Sequence, residues 1–195
     1  MTAAARMGAM RAVFWSVRPH QWTKNLIVFA ALAFSKHLFE AGPFLRSTLA
    51  FALFCALSGA VYLLNDVADV EKDRLHPLKR LRPIARGALG TRAAALLAVG
   101  IAIAGAGLAL VLGPFFFACA VGYLVLNLLY SFYLKETVIL DVLCIALGFV
   151  LRAVAGAVAI GVLISEWLLI CTLLLALFLA LAKRRHEIVT LSGEA

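Results

Sequence analysis

The chain has 195 residues, of which 65% are hydrophobic and 14% are charged, and its mean hydropathy is +1.03. A water-soluble domain is about 45–50% apolar and about 25% charged, so the composition excludes an ordinary soluble globule, a disordered chain and a disulfide scaffold. The four cysteines all lie inside apolar runs without a CxxC spacing, which argues against a zinc site. The composition therefore predicts an integral membrane protein.

Six apolar stretches approach or exceed the ~20 residues that a helix needs to cross a bilayer. In chain order they are 24–39, 47–64, 92–112, 114–133, 138–163 and 166–182. Gly113-Pro114 separates the third stretch from the fourth, as expected of a tight turn. We therefore predict an all-α, polytopic bundle of six transmembrane helices that forms one domain over residues 1–195.

The basic residues are distributed unequally between the two sides that six spans define. Of the 18 Lys and Arg, fifteen fall on one side, in 1–24, 65–92, 134–137 and 183–195. The other side has only Lys36 and Arg46. Because Lys and Arg concentrate in cytoplasmic loops, we predict a plasma-membrane protein whose N-terminus and segment 65–92 are cytoplasmic. The charges lie between apolar spans and not on one face, so no nucleic-acid partner is predicted.

Four polar residues at the end of the second span carry the strongest chemical signal. Asn65, Asp66, Asp69 and Asp73 form the pattern NDxxDxxxD, and they share about 100° of one helical face if the helix continues that far. Clustered carboxylates at a membrane edge suit Mg²⁺, which is usually shared with substrate phosphates. The alternative is a solvated helix end with carboxylates paired to neighbouring basic residues. The spacing and the position at the membrane edge favour the metal site.

A basic segment stiffened by two prolines follows directly at 76–87, and it includes Lys79 and Arg82. Guanidinium and ammonium groups beside a metal–carboxylate cluster would bind a phosphate or diphosphate. Attraction to anionic lipid headgroups explains the same charges, but it does not explain the adjacent aspartates. The segment 65–92 is therefore predicted to be a cytoplasmic active-site loop.

Polar residues elsewhere give weaker signals on the same predicted side. Tyr130 and Lys135 end the fourth span, where an interfacial aromatic belt with a snorkelling lysine explains them as well as ligand binding does. Lys24 precedes the first span and, like Arg18 and Gln21, could reach a ligand above the carboxylates. Asp141 and Arg152 lie in the fifth span, roughly 20° apart around the helix but about 16 Å apart along it, too far to pair directly. Ionisable residues are costly to place inside a membrane, so their presence there indicates a functional role.

Together these motifs resemble the UbiA superfamily of intramembrane prenyltransferases. The resemblance rests on NDxxDxxxD at 65–73 followed by the basic RPI sequence at 82–84, and it extends over nearly the whole chain. The segments most similar to the superfamily's phosphoribosyl-transferring branch are 18–25, 76–87, 130–135 and 140–156. This branch transfers 5-phosphoribose from phosphoribosyl diphosphate to a polyprenyl (decaprenyl) phosphate and releases diphosphate, in the synthesis of a cell-wall arabinan precursor.

The resemblance implies that Asp66, Asp69 and Asp73 are catalytic residues that bind Mg²⁺. It implies substrate contacts for a second set of residues, namely Lys24, Asn65, Lys79, Arg82, Tyr130, Lys135, Asp141 and Arg152. The implied partners are phosphoribosyl diphosphate, a polyprenyl phosphate lipid and the bilayer, and a homo-oligomer is compatible with the sequence.

The chain departs from the superfamily pattern in two respects. Aromatic prenyltransferases have a second DxxxD motif, but here Asp141 is followed at that spacing by Ile145, which favours the phosphoribosyl branch. The superfamily fold has nine helices, so six spans lead us to expect a C-terminally incomplete bundle. Two alternatives stay open: an aromatic prenyltransferase of quinone or haem synthesis, and a non-enzymatic transporter subunit. The transporter is disfavoured because no pair of spans has a polar path through the bilayer centre.

Overall fold

The computed structural model describes residues 3–134 and 137–192, and every regular element in these ranges is helical. This confirms the predicted all-α class. The α-helices are α1 Ala3–Ser16, α2 Ala30–Phe34, α3 Ala41–Ala68, α4 Val70–Leu75, α5 Thr91–Ala109, α6 Pro114–Leu129, α7 Val138–Ile160 and α8 Glu166–Ser192. Shorter elements are the 3₁₀ helices Pro19–Phe29, Lys79–Leu81 and Leu110–Leu112 and the π-helical turn Tyr130–Leu134.

Three helices in the described part of the chain have the length and apolar composition needed to cross a bilayer: Ala41–Ala68, Thr91–Leu112 and Ile139–Ile160. Two further apolar helices, Pro114–Leu129 and Glu166–Ala182, are shorter. These five helices coincide with the second to sixth predicted spans. The protein is thus a membrane protein built on a helical bundle.

The predicted first span, 24–39, is not one helix. The 3₁₀ helix Pro19–Phe29, called the 3₁₀ segment below, runs into the five-residue helix α2. The reason is that this segment packs into the bundle. The buried Asn25 amide donates hydrogen bonds to Ser58 Oγ and Cys55 Sγ on α3, and the Val28 backbone packs against α7. Such contacts require an irregular, closely packed backbone that a lipid-facing helix does not need.

Helix α3 lies at the centre of the bundle, where it packs against α5, α6, α7 and the 3₁₀ segment. Phe54 on α3 meets Phe116 and Tyr123 on α6 in edge-to-face contacts, with ring centroids 5.9 and 5.4 Å apart. The 3₁₀ segment reaches α7 at Gly156, where an added Cβ would lie 2.0 Å from the Val28 carbonyl oxygen. A glycine is therefore required at position 156 for this approach.

Segment 65–92 is more ordered than a simple loop. Helix α3 continues past Leu64 to Ala68, Asp69 forms the junction, and α4 follows. The chain then returns along the bundle because Ile84 and Leu89 are buried against Leu63 on α3 and against α5. This return places Arg82 beside the end of α3, next to the predicted carboxylate motif.

Candidate active site

Two buried aspartates and two arginines form an ion-paired cluster at the junction of α3 and α4. Asp66 is 2% exposed and Asp73 is 3% exposed. Arg82 Nη1 donates to Asp66 Oδ1 at 3.1 Å and to Asp73 Oδ2 at 2.6 Å, and Arg18 Nη2 donates to Asp66 Oδ1 at 2.5 Å. Each buried carboxylate is thereby compensated by a guanidinium group, as burial of a charge requires.

The predicted three-aspartate ligand set is only partly assembled. Within the described ranges, no group of three or more His, Cys, Asp or Glu side chains is close enough to hold a metal ion. Asp66 and Asp73 are joined through Arg82, whereas Asp69 is half-buried at the helix junction. The helix break at Asp69 separates the three aspartates, which a continuous helix would have aligned on one face. The two buried carboxylates fit Mg²⁺ in donor chemistry, with the Arg82 guanidinium between them.

A central cavity of about 550 Å³ lies beside this cluster. Its cationic lining comes from Arg18, Lys24 and Arg152, and no carboxylate is among the lining residues that the structure describes. Neutral hydrogen-bonding groups complete the polar lining: Gln21, Asn65, Asn127, Tyr62, Tyr123 and Tyr130. The cavity can therefore bind an anionic group together with hydroxyl groups.

Arg152 provides the deepest of these charges, because it is 5% exposed and lies within an apolar helix. It donates from Nε to Asn25 Oδ1 at 2.7 Å, from Nη2 to Tyr123 Oη at 2.8 Å and from Nη1 to the Gly148 carbonyl at 2.9 Å. Its guanidinium also lies over the Tyr123 and Phe149 rings, at 4.6 and 5.5 Å. All these partners are neutral, and no described carboxylate pairs with Arg152. A bound anion would compensate the charge.

The π-helical turn at the end of α6 aligns further polar groups. Tyr130 Oη donates to Asp141 Oδ1 at 2.8 Å, and the Ser131 hydroxyl donates to Asn65 Oδ1. Single π-turns are often found at functional sites because the extra residue changes the direction of side chains. Here the turn ties α6 to both α3 and α7, and it holds Asn65 and Tyr130 at the cavity wall.

The remaining predicted site residues differ in whether they line the cavity. Lys24 lines the cavity and donates to Gln21 Oε1 at 2.9 Å. Lys79 is exposed and is not among the cavity-lining residues. Asp141 is buried behind Tyr130, and it is separate from Arg152, as the helical spacing predicts. Lys135 lies outside the described residues.

Sequence reasoning did not identify several residues that build the site. Asn25 orients Arg152, and Tyr62 Oη donates to Gln21 Oε1 at 2.9 Å. Tyr123 and Asn127 precede Tyr130 at positions i, i+4 and i+7 of one helical face, and that spacing was the available signal. The pairing of Arg18 with Asp66 had no such signal, because 48 residues separate the two.

Comparison with known proteins agrees with this architecture. Residues 25–187 match the UbiA prenyltransferase family, so the chain belongs to that family. It is 40% identical over 178 residues to the decaprenyl-phosphate phosphoribosyltransferase of Corynebacterium glutamicum, which covers 89% of this chain and 54% of that protein. It is 37% identical over 199 residues to the enzyme of the same name from Mycolicibacterium smegmatis, covering 96% of this chain and 60% of that one. The chain thus spans little more than half the length of these relatives.

Among solved structures, the fold is similar to that of a UbiA homolog from Archaeoglobus fulgidus bound to DMAPP and Mg²⁺. The TM-score is 0.72 and the sequence identity is 22%, with 85% of this chain and 60% of that chain covered. At this identity the likeness establishes the fold.

Proposed function

We propose that the chain carries the site of a Mg²⁺-dependent transferase that moves 5-phosphoribose from phosphoribosyl diphosphate to a polyprenyl phosphate, such as decaprenyl phosphate, and releases diphosphate. The observation that carries the proposal is the central cavity, where Arg18, Lys24 and Arg152 face hydroxyl and amide groups and no lining residue in the described part of the chain is a carboxylate. A phosphorylated sugar requires this combination. The lining also has an apolar part, which includes Val61, Ile145 and Phe149, and this part could accept the isoprenoid chain of the rival aromatic prenyltransferase's donor. The choice between the two donors therefore rests on the names of the relatives, and the binding experiment below tests it.

The volume of the cavity is consistent with this donor. At about 550 Å³ it lies within the roughly 300–1,000 Å³ of small-molecule sites. Arg152 and Lys24 would bind one phosphate end of the donor, and the tyrosine hydroxyls and Asn65 would bind the ribose hydroxyls. Their position in the cavity lining supports these roles. The names of the Corynebacterium and Mycolicibacterium relatives support the same transferred group, phosphoribose, and the same acceptor, decaprenyl phosphate.

The chemistry follows from the charges at the α3–α4 junction. The bond between ribose C1 and the diphosphate oxygen breaks, its electron pair leaves with diphosphate, and an oxygen of the acceptor phosphate forms the new bond to C1. The acceptor is already an anion, so no strong general base is required. Asp66 and Asp73, with Asp69 beside them, would hold Mg²⁺, which when bound neutralises the diphosphate leaving group. Arg82 and Arg18 would stabilise the same developing negative charge.

We also propose that the protein lies in the plasma membrane with its N-terminus and the segment 65–92 in the cytoplasm, where a water-soluble donor is accessible. The excess of Lys and Arg on that side supports this orientation. The product would serve as a precursor of cell-wall arabinan, and a homo-oligomer is compatible with this arrangement.

The direct test supplies detergent-solubilised protein with Mg²⁺, polyprenyl phosphate and radiolabelled phosphoribosyl diphosphate, and it follows the label into the lipid phase. We expect label in the lipid from the wild-type chain and at least a 1,000-fold lower rate from Asp66→Asn. Glu71→Gln is the matched control, because Glu71 is an exposed carboxylate on α4 that pairs only with Arg74 among the described residues. Absence of lipid label, together with transfer from a prenyl diphosphate to an aromatic acceptor, would contradict the proposal.

A further inference from the structure

A second cavity of about 640 Å³ opens between α1 and the returning part of segment 65–92. We call it the arginine groove, and the residues that define it are Arg11, Trp15, Leu78, Leu81, Arg82 and Arg86. None of these except Arg82 has a role in the donor site. The groove exists because Ala12 of α1 and Ile84 of the segment are both buried in one apolar cluster, which holds the two elements side by side.

The lining of the groove is both cationic and apolar. Arg11 and Arg86 are exposed, and no described carboxylate pairs with either of them. Trp15, Leu78 and Leu81 are also exposed, at 53%, 74% and 67%. A free sugar phosphate gains nothing from such apolar edges, whereas a lipid with a phosphate headgroup uses both kinds of group.

The groove and the central cavity meet at a single carboxylate oxygen. Arg18, which lines the cavity, and Arg82, which lines the groove, both donate to Asp66 Oδ1, at 2.5 and 3.1 Å. A ligand phosphate in the groove would therefore be connected to a ligand in the cavity through Arg82, Asp66 and Arg18. Two anionic substrates that must react with each other require two such adjoining cationic sites.

We propose that the arginine groove binds the lipid acceptor, with its phosphomonoester headgroup on Arg11 and Arg86 and the first part of its hydrocarbon chain along Trp15, Leu78 and Leu81. This assignment rests on the proposed function for the identity of the lipid as a polyprenyl phosphate. Bidentate contacts from two guanidinium groups suit the two negative charges of a phosphomonoester. The acceptor oxygen then approaches ribose C1 from the groove, and the diphosphate leaves beside Asp66, where Arg18 and Arg82 both donate to the carboxylate.

The test measures binding and turnover separately in nanodiscs of phosphatidylcholine that contain a radiolabelled or fluorescent polyprenyl monophosphate. The test variant is Arg11→Gln with Arg86→Gln. The matched control is Arg80→Gln with Arg92→Gln, which removes the same charge from two exposed arginines that line neither cavity. We expect the test variant to raise the Kd and the KM for polyprenyl phosphate at least tenfold, with the KM for phosphoribosyl diphosphate changed less than twofold. The control should leave all three constants unchanged.

Two further arms make the outcome decisive. Polyprenol, which lacks the phosphate, should not compete for the groove, and phosphatidylglycerol should compete at least tenfold less well than the monophosphate. Equal competition by phosphatidylglycerol, or an equal effect of the control variant, would overturn the proposal, because either result assigns the groove to general anionic lipid. If wild-type protein binds the monophosphate through Arg11 and Arg86 but transfers no phosphoribose, the proposed function fails and the groove assignment stands. If transfer occurs and the test variant leaves both lipid constants unchanged, the groove assignment fails alone.

Discussion

Arg46 and Arg152 both lie in apolar helices, but the groups around them differ. The difference distinguishes an arginine that stabilises the fold from one that is available to bind a ligand. Arg46 is exposed at the start of α3, where it donates to the Ala159 carbonyl at 2.5 Å and to the Leu112 carbonyl at 3.1 Å. It thereby caps the ends of two neighbouring helices. Arg152 is buried, has only neutral partners and faces the cavity. An exposed cation can serve the fold alone, whereas a buried uncompensated cation indicates a ligand.

The largest effect on turnover and stability is expected when the ion pairs beside the cavity are removed. Asp66→Asn should abolish turnover and also lower the free energy of unfolding by about 1–3 kcal/mol, because it leaves Arg18 and Arg82 without their shared partner. Asp69→Ala should abolish Mg²⁺-dependent turnover with membrane insertion intact, because it removes a motif carboxylate and leaves the pairs of Asp66 and Asp73 with Arg82 in place. Turnover assays and thermal unfolding in detergent check both. Retained activity in Asp69→Ala would remove its role as a metal ligand.

A smaller but more specific effect is expected from the two arginines themselves. Arg152→Gln should reduce kcat/KM for phosphoribosyl diphosphate about 100-fold, mainly through KM, because the donor loses its buried cation. Arg46→Gln should lower the melting temperature and leave kcat/KM within about twofold. Steady-state kinetics and thermal unfolding of both variants measure the split. Equal kinetic losses in the two variants would mean that Arg152 acts only through the fold.

The packing that places Asn25 against Arg152 can be tested through stability. Gly156→Ala puts a Cβ 2.0 Å from the Val28 carbonyl oxygen, which should destabilise the protein by about 3 kcal/mol as the 3₁₀ segment is displaced. Gly122→Ala on α6 is the matched control, because nothing lies within 4 Å of its added Cβ. Thermal unfolding compares the two. A Gly156→Ala protein as stable as the control would contradict the close approach.

The smallest effect is expected at the π-helical turn. Ser131→Ala removes the hydroxyl that donates to Asn65, and Asn65 then loses one constraint at the cavity wall. We expect kcat to fall about threefold to tenfold with no change in melting temperature. Thr48→Ala is a suitable control, since its hydroxyl bonds only the Phe44 carbonyl one turn earlier, among the described contacts, in the region of Arg46. Equal activity of Ser131→Ala and wild type would show that Asn65 needs no such support.

Much of the fold was predictable because helical periodicity and apolar length are local properties of the sequence. The helices around Phe54, Phe116 and Gly148 follow from them directly. The 3₁₀ segment was not predictable, because its conformation depends on Asn25 and Val28 packing against distant helices. The apolar run within 24–39, taken alone, is typical of a membrane span.

The candidate site likewise contains some residues that the sequence predicts and others that it does not. Asp66 and Asp73 stand in a recognisable motif, and Arg152 is conspicuous as a charge within an apolar run. Their partners are not local: Arg18 is 48 residues from Asp66, and Asn25 is 127 residues from Arg152. Contacts at such separations come from tertiary packing, and a single sequence contains no direct record of them.

We propose above that the cavity around Arg152 binds a phosphorylated sugar. The most direct measurement compares equilibrium binding of phosphoribosyl diphosphate and of a prenyl diphosphate to wild-type protein and to Arg152→Gln, in detergent with Mg²⁺. We predict that wild type binds phosphoribosyl diphosphate at least tenfold more tightly than the prenyl diphosphate, and that Arg152→Gln loses this preference. Tighter binding of the prenyl diphosphate, or an unchanged preference in Arg152→Gln, would contradict the claim.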